Sequence, residues 1–215
     1  PLALMTRKGA DAKMSKFQFP ESIASRPVYG TLAPRPGKAH LMIADAEGAE
    51  ALLDLAAQDA GLMAKTHVLY IPKGTGETYV DKLRAAGPAQ LYVGPSYAAS
   101  VPRLRRVLSD AHMGLQVYLA GTEGLMGQAM NEAVTAGIPH SAIQTEHRGS
   151  TARRMQCVHC KGITEDVTTD PFVCSHCGLN LFVRDHYSRR LAAFQGVCID
   201  AEDPGNIPPA KEIYS

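Results

Sequence analysis

The chain has 215 residues, 45% of them hydrophobic and 20% charged, with a formal net charge of +1. Those values describe a globular chain with a real core, and the near-zero charge of the whole surface does not argue for a polyanionic partner. The length suits one domain plus a smaller module, and no apolar run approaches the roughly 20 residues needed to cross a bilayer.

Residues 1–25 read as a flexible tail. They lack an apolar core followed by a small-residue cleavage site, so no secretion is expected and a cytoplasmic location is. The stretch PVYGTLAPRPG (27–37) is extended rather than helical, because Pro and Gly punctuate it. An alternation then begins. HLMIA (40–44) is a strand and AEALLDLAAQ (49–58) has helical spacing. THVLYI (66–71) is a second strand, closed by the PKGTG turn, and ETYVDKLRAAG a weaker helix. QLYVG (90–94) precedes a helix over about 98–111, LQVYLAG (115–121) precedes the helix GLMGQAMNEAVTAG, and SAIQTE (141–146) is a fifth short strand. Strands alternating with helices predict an α/β fold, a parallel sheet flanked by helices, over residues 26–149.

After Gly149 the pattern changes to short polar stretches and cysteine pairs, a module over 150–198 too small to build a sizeable core without a staple. Cys157, Cys160, Cys174 and Cys177 follow a Cys-X2-Cys-X13-Cys-X2-Cys spacing. Two tight turns can bring four thiolates to one ion, and a closed set of four cysteines, as in a zinc ribbon, suits structural Zn2+. One iron, as in rubredoxins, or an iron–sulfur cluster uses the same ligands and stays open as an alternative. His159 and His176 lie inside the turns and are expected beside the ligands rather than among them. A saturated site has no open position for substrate, so the metal is expected to brace the module. Cys198 reads as a structural thiol, not a nucleophile.

In LNLFVRDHYSRRLAAFQG, Asp185 is positioned to cap a short helix that would carry Tyr187, Leu191 and Phe194 on one face, with Arg189 and Arg190 pointing elsewhere. Residues 148–190 hold seven basic and four acidic side chains, an excess of three, which admits an acidic partner or nucleic acid. The tail 199–215 is polar and Pro-rich, expected to wrap a neighbour or stay mobile.

IADAEGAEALLDL (43–55) and VYLAGTEGLMGQAMNEAVTAGIPHSAIQTE (117–146) resemble, in order and separation, the nicotinamide-binding half of ferredoxin-reductase-like oxidoreductases. In that family a Gly-rich loop ending in Thr-Pro follows the first strand, Cys-Gly-Pro a later one, and an aromatic residue closes the domain. Here Asp45, Ala46, Glu47, Gly48, Ala49, Glu50 and Ala51 stand in the loop, Ala120, Gly121 and Thr122 at the cysteine motif, and Arg148 at the aromatic position. Three carboxylates would repel a pyrophosphate there. Gly48 and Gly121 therefore mark a vestigial nucleotide loop, and neither a bound cofactor nor a flavin barrel ahead of it is expected. GTGE (74–77) is a turn rather than a phosphate loop. His40, His67, His112, His140, His147 and His186 are scattered, and no catalytic set is legible.

Taken together, SRPVYGTLAPRPG, this degenerate fold, CVHC…CSHCG and DHYSRRLAAFQGV resemble the small-subunit family of bacterial dimethylamine monooxygenase, over about Ser25 to Val197. That resemblance implies a cytoplasmic hetero-oligomer using NADPH and O2 to turn dimethylamine into methylamine and formaldehyde. One partner would carry haem and substrate, another FMN and a 2Fe-2S centre, and this chain would be a metal-bearing accessory subunit, not catalytic by itself. Two alternatives remain at this level: a rubredoxin-like iron carrier passing electrons from reductase to haem, and a zinc-ribbon nucleic-acid binder, against which the near-neutral charge and absence of Trp count. No membrane partner is expected.

Overall fold

The computed structural model describes residues 26–75 and 77–214. The tail expected over 1–25 and residue 76 within the GTGE turn lie outside the described residues. The first half runs β1 (Ala39–Asp45), α1 (Gly48–Gln58), β2 (Thr66–Ile71), α2 (Thr78–Ala85), β3 (Gln90–Val93), α3 (Tyr97–Ser109), β4 (Leu115–Gly121), α4 (Glu123–Thr135) and β5 (Ile143–His147). The five strands form one parallel sheet in the order β3-β2-β1-β4-β5. Side chains alternate across a strand, so β1 feeds two cores: Met42 and Ala44 join Tyr70 and Tyr118 under α1 and α2, while Leu41 and Ile43 join Leu69, Val117 and Leu119 under α3 and α4. Coverage on both faces is why these strands read as near-continuous apolar runs.

The stretch 27–37 is extended, as its Pro and Gly content predicts, and it covers the outer edge of β5. Gly30 N donates to Thr145 O at 2.9 Å, Leu32 N to Glu146 Oε2 at 2.7 Å, and the Gln144 amide exchanges two hydrogen bonds with Ala33. An edge strand left bare would offer its backbone to another chain, and here the chain itself occupies that edge.

The second half contains β6 (Arg153–Cys157), β7 (Ile163–Val167), β8 (Thr169–Asp170), β9 (Phe172–Val173), β10 (Asn180–Ser188), β11 (Ala193–Cys198) and β12 (Lys211–Glu212). Five of these make a sheet ordered β7-β6-β11-β10-β9, in which only β6 and β11 run parallel. Its core is small: Met155, Val167, Phe172, Leu181 and Phe194 around the buried Cys157 and Cys174. In the tail, β12 pairs with β8, and the Ile213 and Tyr214 N–H groups both donate to Thr168 O at 2.9 Å. The Arg153 guanidinium lies between the rings of Phe194 and Tyr214, 4.1 and 4.2 Å from their centroids.

The helix expected over Asp185–Phe194 is not formed; this segment is the β10–β11 hairpin. Tyr187 and Phe194 do share a face, but as a cross-strand pair whose rings meet edge-on at 5.0 Å. A seven-residue separation brings two side chains together on a helix or across a hairpin, and the pairing with β6 decides for the hairpin. Asp185 lies in β10, with no helix there to cap. It accepts from Arg153 Nη1 at 2.7 Å and from Arg26.

The two halves pack along α4. A Cβ on Gly127 would fall 2.7 Å from Ala192 Cβ, so the hairpin turn approaches the helix where there is no side chain, and Asn131 donates to Arg190 O. No helix among the described residues is long and apolar enough to cross a membrane.

Candidate metal centre

The first cysteine pair forms the turn between β6 and β7, the second the turn between β9 and β10. The two turns repeat one hydrogen-bonding scheme. Cys157 N donates to Gly162 O and Cys174 N to Leu179 O, both at 2.9 Å; Lys161 N returns to Cys157 O and Gly178 N to Cys174 O, both at 3.0 Å. The scheme needs a left-handed residue after each second cysteine, supplied by Lys161 (φ 64°) and Gly178 (φ 73°). Such turns tip both sulfurs of a pair to one side.

All four Sγ atoms lie within 4.8 Å of one another, with Cys157–Cys177 at 3.8 Å and Cys160–Cys174 at 3.7 Å. These separations are far too long for disulfides, which require about 2.05 Å. A tetrahedron of thiolates about 2.3 Å from one ion has edges of about 3.8 Å, so the cluster fits a single Zn2+ or Fe ion. An iron–sulfur cluster distributes its thiolates over several irons and needs them further apart. Without an ion the thiols compete for protons. Burial opposes ionisation of Cys174, but the backbone N–H groups of Cys177 and His176 and the neighbouring thiols bring it down to about 6. Cys177 is helped by the Leu179 N–H, yet burial and the hydrogen bonds to Cys174, Cys160 and Cys157 push it up to about 12. A cation relieves that competition by displacing the protons.

The histidines of the turns are not in the sulfur set. His176 Nε2 meets Ile163 O at 2.9 Å with its ring lying over Gly162, which ties one turn to the other; His159 is exposed. Cys198 stands apart, its thiol donating to Asp200 Oδ1 at 3.2 Å, a bond that raises its pKa.

The loop between β1 and α1 is organised differently from what its three carboxylates suggest. Asp45 is 1% exposed and turned to the neighbouring strand end, accepting from Thr122 N at 2.7 Å and Thr122 Oγ1 at 2.5 Å, with Lys73 Nζ at 3.5 Å. Glu47 and Glu50 stand at the amino terminus of α1, where Glu50 accepts from Tyr79 at 2.6 Å. Gly48 serves packing: a Cβ there would lie 2.6 Å from Ala120 C and 2.7 Å from Gly121 Cα. Gly121 has φ +118° against Asp45. Arg148, at the expected aromatic position, bridges Glu146 (2.7 Å) and Asp54 of α1 (3.3 Å).

Spacing in the sequence did not single out Lys73 or Arg154. Both line a cleft of about 290 Å3 at the carboxyl ends of β1, β2 and β4, which the second half closes with Glu165 and Asp166. Lys73 bridges Asp45 to Asp166 (3.3 Å), and Arg154 pairs with Glu165. Isolated cations with no motif around them leave no readable signal, because their partners lie some 90 and 11 residues away.

Residues 21–143 match the family model described as dimethylamine monooxygenase subunit DmmA-like, N-terminal domain, and residues 154–197 match its C-terminal domain. The heme-dependent oxidative N-demethylase delta subunit of Ectopseudomonas mendocina (strain ymp) is 33% identical over 147 residues, 66% of this chain and 83% of that protein. Among solved structures, a phthalate dioxygenase reductase aligns with 66% of this chain and 47% of its own at 15% identity and a TM-score of 0.43. The flavohem-like FAD/NAD binding domain of a Vibrio cholerae O1 biovar El Tor nitric oxide dioxygenase aligns over 54% and 53%, at 18% identity and 0.37. The chain thus spans about half of each structure, and likenesses this distant add nothing to what its own strand order says. The sequence matches cover both halves of the chain in register with its architecture, and the chain belongs to the DmmA-like family of dimethylamine monooxygenase subunits.

Proposed function

We propose that this chain is the metal-braced accessory subunit of a haem-dependent, NADPH- and O2-using complex that oxidises dimethylamine to methylamine and formaldehyde. Its part is to hold a haem- and substrate-bearing subunit and a flavin and 2Fe-2S reductase in register. The observation that carries this reading is the closed sulfur set, all four Sγ within 4.8 Å. Cys157, Cys160, Cys174 and Cys177 would fill the coordination of a Zn2+ ion and leave no position for substrate, and the bound ion supplies folding free energy to a module whose core is small. Membership of the family and the 33% identity to a delta subunit of a demethylase support a place in such an assembly. The α/β half, with Gly48 devoted to packing and acidic groups at the α1 amino terminus, acts as a scaffold.

A second reading is favoured by one feature. Cys160 is exposed and its Sγ accepts from Gly162 N at 3.4 Å, the surroundings in which a single iron exchanges electrons. Metal analysis with a visible spectrum of the purified chain separates the two. The bracing reading expects about one zinc per chain and no colour, whereas a red protein that bleaches on reduction would replace it with the electron carrier.

A further inference from the structure

On the face of α4 away from the closed cleft lies a groove of about 420 Å3. Met126 and Met130 of α4 line it, together with Val134 and, from the extended lead-in, Val28; Arg189 and Arg190 of the β10–β11 turn complete it. Val28 is 85% exposed and Val134 37%, so the groove presents apolar side chains to solvent where a single folded chain gains nothing by it. Met126 is buried and belongs to the core beneath the groove, whereas the half-buried Met130 can adapt its shape to what lies on it, which suits a surface that receives another chain. The charge is one-sided. Among the described residues no Asp or Glu lines the groove, and neither Arg189 nor Arg190 takes part in a salt bridge. The cleft on the opposite side differs in kind, since its cations are already matched by Asp45, Glu165 and Asp166.

We infer that this groove is the docking site for an apolar segment bearing acidic residues, contributed by another subunit of the complex. The inference rests on the accessory-subunit reading and names the surface that reading requires. The apolar side chains supply contact area, and the two arginines select for carboxylates and fix the direction of the incoming segment. Both halves of the chain build the groove, so an occupant also clamps the hairpin turn against α4.

The test uses the full chain co-expressed with its partner subunits. A photo-cross-linking residue is introduced at Val28 or Val134, with the exposed Met113 on a distant loop as control. Cross-links from the first two sites, and not from Met113, to an acidic, apolar segment of another subunit are expected. The double variant Arg189→Glu/Arg190→Glu, whose side chains are exposed, should keep its metal content and circular dichroism while binding the partner on the order of tenfold or more weakly. Added salt should weaken the wild type more than the neutral variant Arg189→Gln/Arg190→Gln. Should the wild type bind no subunit at all, the accessory reading fails and the docking site with it. Should the complex assemble while cross-links reach only a second copy of this chain or residues 1–25, or while charge reversal leaves affinity unchanged, the docking site alone is overturned.

Discussion

Replacing Gly48 with Ala tests whether the glycine that opens α1 is kept for packing. A Cβ at this position would sit 2.6 Å from Ala120 C and 2.7 Å from Gly121 Cα. Carbon atoms rest at about 3.5–4.0 Å, so the shortfall is roughly 1 Å. Neither side yields easily. Ala120 is fully buried in β4, paired with Ala44 on one side and Glu146 on the other, and α1 holds the fully buried Leu52 and Leu55. A clash of this depth against backbone puts the overpacking cost at the upper end of its range, about 2–3 kcal/mol, against a helix-propensity gain of at most about 1 kcal/mol for Gly→Ala, leaving a net loss of about 1–3 kcal/mol. Gly124, in the first turn of α4, is the internal control: a Cβ there meets only Arg154 Cβ, at an ordinary 3.7 Å, and Ala should be neutral or stabilising by up to about 1 kcal/mol. Urea unfolding of the full-length variants, followed by far-UV circular dichroism, reads both signs from the shift in midpoint. A Gly48→Ala protein as stable as the wild type would refute the packing argument and return the glycine to ligand binding.

Cys157→Ser should empty the metal site and release β6–β11 to rapid amide exchange while the parallel sheet stays protected; Cys198→Ser should change neither. Retained metal and protection in Cys157→Ser would show that the ion does not hold the module. The left-handed turn positions should respond in opposite directions. Gly178→Ala should cost about 1 kcal/mol, and Lys161→Gly should gain somewhat less, because it also loses the 2.6 Å bond from Lys161 Nζ to Val158 O; thermal melts of the metal-loaded chain compare them. The fork of Arg105 on Glu132, two bonds of 2.8 Å, holds the Glu132 carboxyl below the ordinary carboxylate range. A depressed folded pKa means that the pair contributes at neutral pH and that the contribution disappears as pH falls through the folded value. Arg105→Gln should therefore be slightly less stable than wild type at neutral pH and equal to it in strong acid; a gap that persists in acid would contradict the ion pair.

Reading the sequence located the α/β elements well where both faces are buried. THVLYI and LQVYLAG are β2 and β4 to the residue, since short apolar blocks between turn residues have one good use in a covered parallel sheet. The four metal-binding candidates were legible for a similar local reason: two Cys-X2-Cys turns advertise themselves. The hairpin at Asn180–Cys198 was not, because DHYSRRLAAF satisfies helical spacing locally and becomes a strand pair only through β11 lying beside β6.

By itself, then, the order of residues determined where strands and helices alternate and which sulfurs can share an ion, since both depend on spacings of a few residues. Tertiary structure alone decided the rest. Asp45 turned away from the loop to Thr122, 77 residues on. Gly48 met the backbone of β4. Val28, Val134 and Arg190 met on one surface. Each outcome depends on distance in space between residues far apart in the chain, and no local pattern encodes that distance.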